Sequence, residues 1–159
     1  MSAPTTPYTK YLGDREPLAT IRDSIQRATM LVRDWPVDRF ERSYAAGKWS
    51  ARQILTHLAQ TEMALGTRAR MAVVTPDYAA QGLDQDSWIA LDSRLSGPQA
   101  LDAFLATARM NLAFFEGLSA LQRATTLTHP EYGNLTVDWI IYQMAGHHIN
   151  HLLQLEQIT

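Results

Sequence analysis

The sequence contains no cysteine, and this absence excludes several kinds of chemistry. Disulfide bonds, thiolate metal sites, iron–sulfur clusters and a protein cysteine nucleophile all require that residue. Any thiol chemistry would therefore depend on a thiol carried by a small molecule. The absence also fits a reducing compartment, where disulfides do not persist.

The sequence also lacks an excess of basic residues and long apolar runs. Its 14 Lys and Arg residues stand against 16 Asp and Glu residues, which gives a formal net charge of −2. We expect no nucleic-acid partner, because such proteins neutralise phosphates with clustered Lys and Arg. No apolar run approaches the roughly 18 residues that a membrane helix needs, so we expect no membrane partner. The N-terminus lacks the basic and then apolar pattern of a signal peptide, which predicts a cytoplasmic protein.

What is present is a chain of 159 residues, 46% of them hydrophobic, which is enough for the core of one domain. We predict an irregular N-terminal arm over residues 1–12 and a single domain over residues 13–159. Within that domain, apolar residues recur every three or four positions in four long stretches, and no stretch alternates convincingly at a period of two. The fold class that this pattern predicts is all-α, because four amphipathic helices pack most simply as a four-helix bundle.

Local signals predict where the four helices begin. The first helix is expected to start near Asp14, with a proline in its first turn. The stretch Ser50–Gln53 has the pattern of a capping box and marks the start of the second helix. The third helix is predicted to open at Ser96-Gly97-Pro98 and the fourth at Thr136. A long link over residues 75–95, containing one short helix, then separates helices two and three.

The five histidines are unevenly placed. His147 and His151 are four residues apart, so their side chains leave the same apolar face of the fourth helix. His57 lies at the edge of the apolar stripe of the second helix and can also reach the interior, so three imidazoles could converge on one metal ion. The alternative is that they are hydrogen-bonded core residues. His148 lies on the flank of the stripe and is predicted either to support the metal ligands without binding the metal or to lie at the surface. His129 is predicted in a solvated loop within an irregular segment over residues 119–135.

Two blocks of the sequence have distinctive patterns. The block Lys48–Leu58 contains a Trp-Ser pair, then apolar residues and a His followed by Leu. The block His147–Leu155 contains two histidines four apart and a Gln three residues after the second. Together, in this order and at this separation, the two blocks resemble the DinB-like (YfiT-like) family of metalloenzymes. The resemblance implies a four-helix bundle, often homodimeric, with a divalent metal held by His57, His147 and His151. It also implies an activity like that of relatives that use a low-molecular-weight thiol, among them a mycothiol-dependent maleylpyruvate isomerase.

A site of three neutral imidazoles leaves open positions on a divalent ion, as in catalytic zinc sites. Such an ion activates water or a thiol, which predicts a thiol transferase, an isomerase or a hydrolase acting on a small-molecule substrate. Zinc is the first choice of metal and nickel the second. Glu62 is a candidate general base, with a solvated face residue as the alternative, and Gln154 is a candidate partner for a ligand's free ring nitrogen. Trp49, Tyr78 and Trp88 are candidate pocket residues, and a non-catalytic metal- or ligand-binding dimer is the alternative function.

Overall fold

Helices make up most of the chain in the computed structural model, which describes residues 3–159. In chain order the elements are α1 (Thr9–Leu12), α2 (Pro17–Val32), a 3₁₀ helix (Val37–Glu41), α3 (Ala51–Val74), α4 (Gln85–Leu91), α5 (Gly97–Glu116), α6 (Ala120–Arg123), β1 (Thr126–His129), β2 (Gly133–Thr136) and α7 (Val137–Glu156). Among the described residues, no helix combines the length and the apolar character that a membrane-spanning helix needs.

Side-chain caps explain where the long helices begin. At the start of α3, the Ser50 hydroxyl accepts a hydrogen bond from the amide of Gln53, whose side chain accepts one from the amide of Ser50. Ser96 and Gln99 make the same reciprocal pair at the start of α5, and the Thr136 hydroxyl caps α7. Each pair satisfies amides that a helix start would otherwise leave free. The predicted starts of these three helices are therefore confirmed.

The first long helix begins slightly later than predicted. The Glu16 carboxylate accepts hydrogen bonds from the amides of Leu18 and Ala19, so α2 begins at Pro17 rather than near Asp14. Pro17 occupies the first helical position, where its missing N–H leaves no bond unmade.

The four long helices form the predicted four-helix bundle. α2 packs against α5 and α7, and α3 packs against the same two helices. Helices α2 and α3, which follow each other in the sequence, are therefore diagonal in the bundle. Each helix contributes completely buried apolar side chains, and burying one such side chain stabilises the fold by about 1.5–3 kcal/mol. The largest of them include Ile21, Ile54, Leu55, Leu58, Phe104, Phe115, Ile140, Ile141, Met144 and Leu152.

The N-terminal arm is more ordered than predicted. The prediction of an irregular arm is wrong for Thr9–Leu12, which forms α1 and packs against α7, and the first two of residues 1–12 lie outside the described residues. Leu12 is buried in the core. Gly146 lets the arm approach α7 closely, because a Cβ there would lie 2.7 Å from both the Cβ and the carbonyl oxygen of Tyr8. The arm thereby packs against the bundle and contributes the buried residues Thr6 and Leu12.

The connections contain regular structure. The predicted short helix of the 75–95 link is confirmed as α4. The prediction that residues 119–135 are irregular is wrong, because α6 is followed by the antiparallel pair β1 and β2. Each strand has only four residues, which is too short for an alternating pattern to stand out. Gly133 provides the positive φ of 69° at the turn of this hairpin.

Candidate metal centre

Three histidine side chains meet in the interior between α3 and α7. The Nε2 atom of His147 lies 2.9 Å from Nε2 of His57 and 3.0 Å from Nε2 of His151. One ring nitrogen from each residue lies within 4.8 Å of the others, and each residue is only 4% exposed. The four-residue spacing on α7 and the position of His57 on the facing helix explain the convergence. The structure thus brings together the three predicted ligands.

The geometry of these nitrogens fits a single divalent ion. Two nitrogens that bind one ion at about 2.1 Å lie about 3.4 Å apart at the tetrahedral angle of zinc and about 3.0 Å apart at the right angle of tetragonal coordination. The measured separations around His147, 2.9 and 3.0 Å, are close to the second value and slightly below the first. Without an ion this arrangement is energetically unfavourable. Nε2 of His147 then faces the Nε2 atoms of His57 and His151, and neutral imidazoles have few N–H protons with which to hydrogen-bond one another. The donor set therefore suits a cation that all three share.

Burial keeps the three imidazoles in the form that binds metal. Desolvation lowers the pKa of His57 to about 3 and that of His151 to about 4, with a further lowering of the His57 pKa by His151. The pKa of His147 is also lowered well below its usual value, mainly by burial. Only a neutral imidazole has a lone pair to offer a metal, so these side chains are ready to bind one at neutral pH.

The lowered pKa values predict that acid destabilises the metal-free protein. Below about pH 6.5 the unfolded chain takes up protons on these histidines, whereas the folded chain does not until about pH 4. The free energy of unfolding should therefore fall as the pH falls from 6.5 to 4, by up to about 1.4 kcal/mol per pH unit for each histidine. Above pH 6.5 these residues should contribute no pH dependence. Denaturant unfolding at several pH values measures the slope.

The matched control for this prediction is His57→Ala. It should show a smaller slope between pH 4 and 6.5, because the carboxylates that also titrate in acid are unchanged. Equal slopes for the two proteins would contradict the assignment of the acid sensitivity to the buried histidines.

A hydrogen bond outside the cluster fixes the orientation of His151. Its Nδ1 atom lies 2.7 Å from Oε1 of Gln154, which can only accept, so Nδ1 carries the proton and Nε2 keeps its lone pair. The Gln154 amide is in turn oriented by Tyr44, whose hydroxyl accepts from Nε2 of Gln154 at 3.4 Å. The structure thus places Gln154 where the sequence predicts it, against the outer nitrogen of a ligand.

Removing this partner should weaken metal binding without removing a ligand. We expect Gln154→Ala to lower the affinity for zinc by about 10- to 100-fold, the usual cost of losing a partner of a ligating histidine. Gln157→Ala is the matched control, because Gln157 is exposed and its side chain donates to the carbonyl of Leu153, away from the histidines. Titration calorimetry with zinc compares the variants, and equal affinities would contradict the role of Gln154.

A cavity of about 450 Å³ adjoins the cluster. His57 and His147 form part of its wall, and Tyr8 and Trp139 line it as well. The Tyr8 ring meets His147 edge-on at a centroid distance of 5.1 Å. The third proposed ligand, His151, lies one turn after His147 on α7 and does not line this cavity. A metal held by the trio would therefore border a space that is large enough for a small organic molecule.

The three predicted pocket residues are separated in the structure. The Trp49 ring packs against His57 at a centroid distance of 4.8 Å and against His151 at 6.4 Å. Tyr78 and Trp88 instead line a second cavity of about 580 Å³. The structure thus brings Trp49 to the histidines and leaves Tyr78 and Trp88 at a different opening.

Glu62 is also away from the three predicted ligands. It is 2% exposed, which contradicts the alternative of a solvated face residue. Its Oε1 atom lies 2.6 Å from Nε2 of His148, and its Oε2 atom accepts a hydrogen bond from Asn111 at 2.7 Å. The alternative that His148 lies at the surface is wrong, since it is 1% exposed. The pairing with Glu62 explains how a polar ring is accommodated there.

His129 differs from its prediction as well. It is only 5% exposed and belongs to β1, where its Nδ1 atom accepts hydrogen bonds from the amides of Glu131 and Tyr132. It lines the first cavity together with Arg68 and Gln143, which the sequence interpretation did not consider. Helical spacing from the predicted ligands could have indicated that Arg68 and Gln143 share a helix face with them. Arg68 follows His57 by eleven positions on α3, and Gln143 precedes His147 by four on α7.

The sequence has relatives whose names refer to metal dependence. It is 27% identical over 122 residues to “Putative metal-dependent hydrolase OB0782” of Oceanobacillus iheyensis, a match that covers 74% of this chain and 71% of the relative. It is 25% identical over 143 residues to a “Putative metal-dependent hydrolase” of Bacillus cereus, covering 86% of this chain and 82% of the relative.

Two solved structures share the fold. YfiT from Bacillus subtilis, described as “a probable metal-dependent hydrolase with an unusual four-helix bundle topology”, superposes with a TM-score of 0.78 at 18% identity, covering 98% of this chain and 90% of that one. A mycothiol-dependent maleylpyruvate isomerase superposes with a TM-score of 0.74 at 13% identity, covering 94% of this chain and 61% of that one.

The family assignment follows from the sequence match. The signature of the DinB superfamily matches residues 20–155, which include all three clustered histidines. This match and the YfiT fold confirm the resemblance that the two sequence blocks indicate. The chain belongs to the DinB superfamily.

Proposed function

We propose that this protein is an enzyme that depends on one divalent metal ion, held by His57, His147 and His151, and acts on a small molecule. Zinc is the metal we propose first and nickel second. The observation that carries the proposal is the position of His57 and His147 in the wall of the 450 Å³ cavity. A structural metal site is closed by protein ligands, whereas three histidines beside a cavity leave room for a reactant.

The bound ion would act as a Lewis acid. It would lower the pKa of a bound thiol or water, so that the deprotonated nucleophile is available at neutral pH. The chain itself offers no thiol, so a thiol nucleophile would come from a small molecule. The contribution of Tyr8 and Trp139 is to enclose the reactants with aromatic walls. Gln154 holds the proton of His151 on Nδ1. We propose thiol transfer or thiol-dependent isomerisation as the first reaction type and hydrolysis as the second.

Two assays of the zinc- and nickel-loaded protein test the proposal. The first combines 1-chloro-2,4-dinitrobenzene with cysteine, glutathione or mycothiol, and the second uses p-nitrophenyl acetate alone. We expect at least a tenfold acceleration over the uncatalysed rate in one assay, and loss of that acceleration in His151→Ala. Acceleration that is equal in wild type and His151→Ala would contradict a role for the metal.

A non-catalytic metal- or ligand-binding bundle is the second candidate. One observation favours it: among the residues that the structure describes, the carboxylate of Glu62 is occupied by His148 and Asn111 and is not directed at the three ligands. Metal binding without turnover in a wider panel of thiols, electrophiles and esters would support this candidate over the enzyme.

The homodimer and the cytoplasmic location also belong to the proposal. The dimer is motivated by the family resemblance, and light scattering coupled to gel filtration tests it. A mass near twice 17.9 kDa is expected, and a monomer at high concentration would contradict it.

A further inference from the structure

A cationic side chain, that of Arg68, lines the first cavity at a distance from the histidine cluster. Along α3, His57, Thr61, Leu65 and Arg68 all line this cavity, so they form one stripe of the helix. The eleven positions between His57 and Arg68 correspond to about 16 Å along the helix axis. The first cavity is therefore elongated, with imidazoles near one end and Arg68 towards the other. Arg68 also lines the 580 Å³ cavity, as does Gln81, so its side chain lies where the two cavities adjoin.

The guanidinium of Arg68 has capacity to bind an anion. It donates to the carbonyl of Gln81, and in the described part of the chain it forms no ion pair. The side chain is partly buried, and desolvation lowers its pKa, an effect that Tyr78 and Tyr132 oppose. Arginine stays charged in proteins, so the cavity contains a positive charge with donors that a ligand can use.

A second polar atom lies on the opposite wall. Oε1 of Gln143 is buried and has no hydrogen-bond partner within residues 3–159, although its residue lines the cavity. A buried acceptor without a partner costs stability, and a ligand N–H or O–H would remove that cost. Gln143 lies one turn before His147 on α7, between the metal end and the far end of the cavity.

We infer that Arg68 binds the carboxylate of an elongated small molecule whose reactive end lies at the three histidines. Gln143 accepts a hydrogen bond from an N–H or O–H group along that molecule. The fork of a guanidinium matches the oxygens of a carboxylate and of a phosphate equally well, so the charge of the ligand decides between them. Asp84, Asp86 and Glu131 also line the cavity and would repel a dianion more strongly than a monoanion, which favours the carboxylate. This inference rests on the proposed function, since it places the reactive end at the metal centre.

A pair of matched ligands tests the inference. Suberohydroxamic acid carries a metal-binding hydroxamate and a carboxylate at opposite ends of an eight-carbon chain, and its methyl ester lacks the charge. Titration calorimetry measures both with the zinc-loaded wild-type protein and with Arg68→Gln and Arg68→Lys. Arg109→Gln is the control, since it removes the same charge from an exposed residue that lines a different surface pocket.

We expect the wild type to bind the acid at least about tenfold more tightly than the ester, as a charged hydrogen-bonded pair would provide. Arg68→Gln should abolish this preference and leave the affinity for the ester unchanged, whereas Arg68→Lys and Arg109→Gln should retain a preference. Equal weakening of acid and ester in Arg68→Gln would show that Arg68 only holds the Gln81 loop, and would overturn the inference.

The remaining outcomes separate this inference from the proposed function. Binding of the ester with no preference for the acid would overturn the role of Arg68 and leave the metal centre accessible as proposed. Failure of both ligands to bind the zinc-loaded protein would overturn the proposed function, and the inference with it.

Discussion

The variant His147→Ala is expected to abolish stoichiometric metal binding. The wild type should hold about one divalent ion per chain, because three neutral imidazoles converge on one point. His147 is the central member, with Nε2 near 3 Å from both other ligands. Losing a partner of a ligand already costs 10- to 100-fold in affinity, so loss of this ligand should cost more than about 100-fold. Elemental analysis of tag-free protein and titration with zinc and nickel measure the effect.

The matched control is His129→Ala, which removes a different buried histidine and leaves the cluster intact. It should bind metal like the wild type. Metal removal from the wild type should also lower its stability. A metal present at 1,000 times its dissociation constant stabilises the fold by about 4 kcal/mol, so a chelator should lower the Tm by roughly 10 °C.

One result would overturn the metal site. Suppose that the wild type bound no metal after incubation with zinc and nickel, and that a chelator did not change its Tm. The three histidines would then be ordinary core residues. The four-helix bundle would stand in that case, because its caps and apolar faces do not depend on the cluster.

The second large effect is expected from Glu62→Ala. The Glu62 carboxylate joins His148 at 2.6 Å to Asn111 at 2.7 Å, and Asn111 in turn accepts from Arg70 at 2.7 Å. Glu62 and His148 are at most 2% exposed, and Asn111 is also buried. Removing the carboxylate therefore leaves the His148 ring and the Asn111 amide without this hydrogen-bond partner. Breaking one partner of a buried pair costs about 3–5 kcal/mol, which should lower the Tm by roughly 10 °C.

The same substitution at an exposed ion pair provides the control. Glu116 pairs with Arg22 at the surface, where both side chains are at least two-fifths exposed. Glu116→Ala should cost less than about 1 kcal/mol, because solvent screens exposed pairs. If Glu62→Ala kept the stability of the wild type and lost turnover, Glu62 would have the catalytic role that the sequence predicts. Chemical denaturation and the two activity assays together separate these outcomes.

The hydrogen bonds between Glu62 and Asn111 depend on a close approach of two helices that only the folded chain reveals. A Cβ at Gly66 would lie 2.3 Å from Oδ1 of Asn111, so α3 and α5 meet at this glycine. Asn111 donates from Nδ2 to both the carbonyl and the carboxylate of Glu62. Nothing in the local pattern around Gly66 or Asn111 indicates this contact, since the two residues lie on different helices.

The sequence by itself determined the features that depend on neighbours along the chain. The cap pair of Ser50 and Gln53 involves residues three apart, so the start of α3 was predictable. The spacing of His147 and His151 places them on one face of any helix, and so two of the three proposed ligands follow from helix geometry. His57 joined them by its place on an apolar stripe that must face the bundle interior.

Only the tertiary structure decided which faces meet. α2 and α3 are adjacent in the sequence but diagonal in the bundle, because each packs between α5 and α7 instead. That arrangement brings Glu62 of α3 to His148 of α7 and buries both side chains. It also joins Tyr8 from the N-terminal arm to His147, and Arg68 to the same cavity. Such contacts link distant positions, and the periodicity of one helix carries no information about the helix that will cover it.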